Sequence, residues 1–374
     1  MGRIWVTLLI PELICKPMEE RKAILSVRDL EVKFRVRGRE LRAIRGISLD
    51  LHDGESVAVV GESGSGKSVF TKTFAGMLEA NGQITGGSIL FDGLDLTKIK
   101  RNKDWGKIRG SQIATVFQDP MTSLNPILTI GKQITAVIRR HQHCSENEAR
   151  IRALEMMGKV GIPNAADRFD DYPFQYSGGM RQRIVIAIAL SCQPKILICD
   201  EPTTALDVTI QAQILKLIKD LQKEYGYTIV FITHDLGVVA NIADRVAVLY
   251  AGQIVELGTA EELFYDPRHP YTWALLSSLP QLARRNEKLY SISGTPPSLY
   301  QPITGDAFAP RNPYAMKIDT LQEPPMFQIT PTHFARTWLL DPRAPKAEKP
   351  EIIQNIHEKM LSTLHISGGD PLGQ

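Results

Sequence analysis

Cysteine is scarce: the chain has four in 374 residues, Cys15, Cys144, Cys192 and Cys199, and no two stand at C-x-x-C spacing. That excludes a disulfide framework and a zinc ribbon, and reads as a reduced compartment. Long apolar runs are missing as well. The N-terminal stretch from Ile4 to Cys15 contains Pro11 and Glu12. At about a dozen residues it falls short of the ~20 that span a bilayer, and it has no small-residue cleavage site. Charge of one sign is also lacking: the net charge of +3 is too small to argue for a nucleic-acid partner. There is no internal repeat, no low-complexity tract, and no heptad run between Gln118 and Ser177 of the kind a long coiled coil needs.

Glycine is placed where chemistry needs it. Residues 61 to 68 read Gly61, Glu62, Ser63, Gly64, Ser65, Gly66, Lys67, Ser68 and fit the pattern G-x-x-x-x-G-K-[ST]. Glycines let backbone N–H groups turn inward around an anion, and the following helix presents its positive end to it. Lys67 is expected to reach the β- and γ-phosphates, and the Ser68 hydroxyl to ligate Mg²⁺. The context agrees. Val57 to Val60 is a short apolar run suited to a buried parallel strand, and Val69 to Met77 can continue as a helix.

Further apolar runs end in polar residues, as expected where ligands sit at the carboxyl edge of a parallel sheet. Ile113 to Phe117 leads into Gln118, Ile196 to Cys199 into Asp200 and Glu201, and Ile229 to Thr233 into His234. Asp200 can hold Mg²⁺, Glu201 can polarise an attacking water as general base, His234 can contact a γ-phosphate, and Gln118 can touch the metal or that water. Val246 to Tyr250 ends at the turn Ala251-Gly252 and is expected to pair as a hairpin with Ile254 to Leu257. Ser177, Gly178 and Gly179, followed by Met180-Arg181-Gln182, form a glycine turn that opens a helix.

Together these motifs resemble the complete set of an ABC-transporter ATP-binding subunit: Gly61 to Ser68, Gln118, Ser177 to Gln182, Asp200-Glu201, Ala205-Leu206-Asp207 and His234, in the family's order over roughly residues 26 to 340. The resemblance implies an α/β fold: a P-loop NTPase (RecA-like) core with an antiparallel β subdomain and an inserted helical subdomain. It implies binding of ATP and Mg²⁺ between two cassettes joined head to tail. The loop at Gly61 to Ser68 of one and the turn at Ser177 to Gly179 of the other would enclose each nucleotide, with Asp207 at the seam. An aromatic residue should stack on adenine; Phe34 is the candidate, and core packing of a strand is its other reading.

Two segments narrow the resemblance to the dipeptide/oligopeptide-permease subfamily: Phe117 to Pro126, and His269-Pro270-Tyr271-Thr272 with the later Gly294-Thr295-Pro296-Pro297. Implied partners are a second, homologous ATPase, two transmembrane permease subunits and an extracytoplasmic solute-binding protein, with no nucleic acid. The implied place is the cytoplasmic face of the membrane. Relatives also import nickel or other small solutes, and the ATPase sequence does not name the cargo.

The expected organisation is an N-terminal extension over 1–25, with Met18 as the true start; an ATPase domain over 26–265, its helical subdomain at about 120–190; an irregular, Pro-rich extension over 266–341; and a mobile tail over 342–374, with one short helix at Ile352 to Leu364. Ser145 to Glu148 reads as a capping box before Ile151, Leu154 and Met157 at helical spacing. Ile210, Ile214, Leu217, Ile218 and Leu221 mark one face of a helix over Val208 to Lys223. Many relatives carry cysteines in the extension spaced like iron–sulfur ligands; the aligned residues are Asp306, Asn312, Asp319 and Thr337, and of the two readings for the carboxylates among them, a hard-cation site or solvated surface, the second is expected. None supplies a thiolate. The purified protein is therefore expected to be colourless and iron-free; stoichiometric iron in metal analysis, with visible absorption, would contradict this.

Overall fold

The computed structural model of the chain describes residues 22–204, 206–279 and 292–354. The expected start at Met18, Ala205 of the Ala205-Leu206-Asp207 segment and the chain after Gln354 lie outside the described residues. Of the helix expected from Ile352, only Glu351–Gln354 falls inside them.

Among the described residues twelve strands form two sheets. β1 (Ala23–Val36), β2 (Arg39–His52), β4 (Gly82–Phe91) and β5 (Leu94–Asp95) make an antiparallel sheet in the order β2-β1-β4-β5. The larger sheet holds β3 (Ser56–Val60), β6 (Ile113–Val116), β7 (Ile196–Asp200), β8 (Thr228–Thr233), β9 (Arg245–Tyr250), β10 (Gln253–Thr259), β11 (Phe327–Gln328) and β12 (Phe334–Ala335), in the order β11-β12-β10-β9-β3-β8-β7-β6. From β9 to β6 all neighbours are parallel. β9 and β10 form the expected hairpin around Ala251-Gly252.

The parallel strands are apolar on both faces because both faces are covered. Side chains alternate along a strand, so Ala58 and Val60 face one core and Val57 and Val59 the other. The first core is completed by the helical insertion and residues of the C-terminal region. The second is completed by the antiparallel sheet and by Phe70 and Phe74 of the helix Lys67–Ala75.

Within the insertion, the helices Ile130–His141, Glu146–Lys159 and Gly178–Leu190 pack around one another. The Ser145–Glu148 capping box forms as read. The buried face of Glu146–Lys159 is nevertheless Ala149, Ala153, Met156 and Met157, while Ile151 stands 51% exposed. Two alanines on one stripe let the helix approach its neighbour closely, which Ile151 on another face cannot do. In the helix Val208–Tyr225 the expected stripe holds, with Ile214, Ile218 and Leu221 buried. Among the described residues no helix is long and apolar enough to cross a membrane.

The C-terminal region is more regular than its prolines suggest. Pro270–Ser277 is helical, with Pro270 in the first turn where its missing N–H costs nothing. β12 pairs with β10, so the hairpin β11–β12 extends the main sheet. A buried carboxylate secures that seam. Glu256 accepts from the N–H of Arg268 (2.6 Å), the N–H of His269 (3.0 Å) and His333 Nε2 (2.8 Å).

Asp306 and Asp319 correct the sequence reading: like Asn312 and Thr337 they are at most 7% exposed, not solvated surface. Each side chain caps a local turn. Asp306 accepts the N–H of Phe308 (2.9 Å), Asn312 that of Tyr314 (2.9 Å), Asp319 that of Met316 (2.6 Å) and Thr337 that of Leu339 (3.3 Å). Short polar side chains bury themselves in this way by closing Asx- and Ser/Thr-type turns.

Among the described residues the buried second oxygen of Asp306 has no partner, and burial pushes its carboxyl up to about 6 from the ordinary 3.8. The folded state therefore holds the proton more tightly than the unfolded chain does. The stability this contributes is intact below about pH 4 and is lost as pH rises through about 6. Asp306→Asn cannot ionise; between about pH 4 and pH 8 it is expected to gain on the parent chain by roughly 2–3 kcal/mol in urea unfolding.

Candidate nucleotide site

β3 leads into the loop from Gly61 to Ser68, and the helix Lys67–Ala75 leaves it. Gly61 lies at φ 149°, and a Cβ there would stand 2.1 Å from the carbonyl oxygen of Leu249, so only glycine fits. Gly66 caps the helix without a side-chain bond, which leaves the first-turn N–H groups to meet an anion. Lys67 is 7% exposed, and its Nζ donates to the carbonyls of Gly61 (2.7 Å) and Glu62 (2.9 Å). Burial lowers its pKa, opposed by Glu201, Asp200 and Glu62. Among the described residues no carboxylate comes within ion-pairing distance of it. The buried Ser65 hydroxyl also has no partner.

The parallel register brings the ends of β6, β7 and β8 together beside this loop. Ser68 Oγ donates to Asp200 Oδ1 at 3.2 Å, and burial raises the Asp200 carboxyl above its usual value. Glu201 is held on both oxygens: His234 Nδ1 lies 3.0 Å from Oε1, while Gln118 Nε2 (2.9 Å) and Thr204 Oγ1 (3.0 Å) donate to Oε2. Burial pushes the Glu201 carboxyl up, but the bonds from His234 and Thr204 outweigh it and leave it below the ordinary value. Its backbone lies at φ 46°, a costly conformation for a residue with a Cβ, and its N–H is fixed to the Ile232 carbonyl at 2.9 Å.

Ser63, Gly64, Gly66, Lys67, Ser68, Gln118, Asp200, Glu201 and His234 share one cavity of about 650 Å³. Phe34, Val36, Leu41 and Leu299 form its apolar wall. Phe34 is 7% exposed, its ring packed against Gly82 on the facing strand as the core reading expects, and it also lines this cavity.

The structure does not bring Ser177, Gly178 and Gly179 into that cavity. They sit at the start of the helix Gly178–Leu190, with Ser177 and Gly178 exposed and Ser177 Oγ accepting the Met180 N–H at 3.4 Å. Asp207 caps the helix Val208–Tyr225 through the Ile210 N–H at 2.9 Å and is exposed. Sequence reasoning missed Thr204, which has no spacing signal of its own. It also missed Leu299 in the wall, which reaches the site only through tertiary packing.

The fold and the cavity are those of an ATP-binding cassette. The ABC transporter family pattern matches residues 44–204, and that of the oligopeptide/dipeptide transporter C-terminal region matches residues 255–318. The oligopeptide transport ATP-binding protein AmiE of Streptococcus pneumoniae is 65% identical over 91% of this chain and 96% of its own. The oligopeptide transport ATP-binding protein OppD of Bacillus subtilis is 55% identical over 91% and 95%. The ATP-binding cassette MJ0796, solved as a dimer with ADP and Pi, is 28% identical at TM-score 0.56, covering 63% of this chain and 98% of that one. CbiO1 of Clostridium perfringens, part of the ABC transporter complex cbiONQ, is 32% identical at TM-score 0.57, covering 65% and 91%. This chain belongs to the ATP-binding subunits of oligopeptide and dipeptide ABC transporters.

Gly61→Ala is expected to lower stability by about 2 kcal/mol or more, through both the positive φ and the clash with Leu249, as read by denaturant unfolding.

Proposed function

We propose that this chain hydrolyses ATP to energise uptake of oligopeptides or dipeptides, working as one half of a head-to-tail cassette dimer. One observation carries the reading: Lys67, Ser68, Asp200, Glu201, Gln118 and His234 converge on one cavity, while Ser177 and Gly178 are exposed outside it. The names of these relatives support the cargo class.

In this reading Gly61, Glu62, Ser63, Gly64, Ser65 and Gly66 form the cradle, Lys67 balances phosphate charge, and Phe34 faces the adenine. Ser68, Asp200 and Gln118 offer the oxygen donors that suit a hard divalent cation. Among the described residues no cluster of three or more His, Cys, Asp or Glu is placed to cage a metal, which fits a cation that arrives with the nucleotide. Bound Mg²⁺ would neutralise charge on the β- and γ-phosphates. Glu201 orients and polarises the attacking water, steadied by His234, Thr204 and Gln118. Ser177, Gly178 and Gly179 of a partner subunit supply N–H groups and a helix N-terminus to the γ-phosphate, with Asp207 at the seam.

The assembly comprises a second, homologous ATPase, two transmembrane permease subunits and an extracytoplasmic solute-binding protein. This chain would lie peripherally on the cytoplasmic face of the membrane. Its own parts would be an ATPase domain over 26–265 and an extension over 266–341, flanked by 1–25 and 342–374.

Lys67→Ala is expected to weaken ATP binding by about tenfold or more. Glu201→Gln should keep ATP, lose on the order of 10²–10⁴ in turnover, and remain dimeric by size exclusion. Normal turnover in Glu201→Gln would sink its role. Co-purification from native membranes, with partners identified by mass, tests the assembly.

A further inference from the structure

The phosphate loop carries a carboxylate where it is least welcome. Glu62 follows Gly61, and the Glu62 charge acts on Lys67 itself. Left free, an anion at this position would raise the electrostatic cost of bringing in a polyphosphate.

The C-terminal region deals with that charge. Arg311 forms a two-pronged ion pair with Glu62: Nη1 to Oε2 at 2.6 Å and Nη2 to Oε1 at 2.9 Å. The Arg311 side chain is only 4% exposed. Its remaining donors are spent on orientation, with Nε on the Ser293 carbonyl (3.0 Å) and Nη1 also on Tyr250 Oη (3.2 Å). The bond to Glu62, followed by the contact with Tyr250, holds the guanidinium pKa above its ordinary value. From the same region Tyr271 Oη accepts the Glu62 N–H at 2.8 Å, and Lys67 takes the Glu62 carbonyl. Side chain, N–H and carbonyl of this one loop residue are therefore each committed to a named partner, two of them through the C-terminal region.

We propose that Arg311 is a positioning residue for nucleotide binding: it neutralises Glu62 and keeps that carboxylate turned from the phosphate cradle, so that Lys67 meets the nucleotide undiminished. The inference rests on the reading of Gly61 to Ser68 as the nucleotide loop and gives the C-terminal region a task in that reading. Bidentate pairing suits the purpose, because a planar fork fixes the carboxylate's direction as well as its charge. A staple that merely joined the two regions would be lost equally whichever partner were changed. Charge neutralisation instead makes a directional demand: removing Arg311 harms nucleotide affinity only while Glu62 is still charged.

The test is a double-mutant cycle in the full-length protein, reading affinity for a fluorescent ATP analogue with Mg²⁺, steady-state kinetics and melting temperature. Arg311→Met is expected to weaken the analogue on the order of tenfold, with KM for ATP rising in parallel and kcat held within about twofold, since Glu201 and its partners are untouched. In the Glu62→Gln background the same Arg311→Met change is expected to cost less than about twofold. Arg311→Lys, which keeps the charge but not the fork, should recover most of the affinity. If Arg311→Met does not fold, Arg311→Gln takes its place with the same expectation.

Unchanged affinity in Arg311→Met, or an equal penalty with and without the Glu62 charge, would overturn the proposal. Lys67→Ala in the same assay separates the two levels. If it too leaves binding intact, the loop is not the nucleotide site; if it weakens binding and Arg311→Met does not, only the role of Arg311 falls.

Discussion

A lysine ammonium sunk in protein, with no carboxylate within ion-pairing distance among the described residues, is the constraint on which this structure turns. Lys67 is held by two neutral carbonyls, and burial lowers its pKa. Sequestering a charge in this way costs free energy, and a buried charge is normally paired. The chain accepts that cost at one point and builds around it: a loop whose first glycine tolerates no side chain, a helix whose first turn lacks a capping side chain, and a buried hydroxyl without a partner. Each of these is a small debt that an anion settles. A fold with the same core and a satisfied loop would be more stable and would have nothing to bind.

The parallel sheet turns that single point into a site. Because β3, β8, β7 and β6 run the same way, their carboxyl ends lie on one edge, and residues far apart in sequence arrive together. Gln118 and Glu201 are separated by 83 positions and meet at 2.9 Å. Alternation of buried side chains commits both faces of those strands to cores, so a one-residue slip would drive every side chain into the opposite core and break the packing of both. The rigidity that makes the strands unremarkable as chemistry is what fixes the polar residues after them.

That division explains what the sequence made legible. The loop, the apolar runs and the polar residues following them are local patterns, and β6, β7, β8 and the β9–β10 hairpin stand where those patterns placed them. The helix Glu146–Lys159 was legible in its cap but not in its buried face, because small residues that allow close approach carry weak apolar signal. The two-residue strands β11 and β12 have no periodicity to read. Asp306 and Asp319 looked like surface because burial of a carboxylate depends on the turn it closes, which composition does not reveal. The Arg311–Glu62 pair joins residues 249 positions apart, and neither carries a local mark of the other.

The electrostatics of Glu201 bear on how water is activated. A general base works best with a pKa near the operating pH, yet bonds from His234 and Thr204 hold this carboxyl below its ordinary value. As a proton sponge it is therefore poor in this state. The same bonds fix its direction, and the strained φ at Glu201 is kept by the Ile232 and Thr204 contacts rather than relaxed. Orientation is thus built into the chain, through the three side chains that hold both oxygens of Glu201.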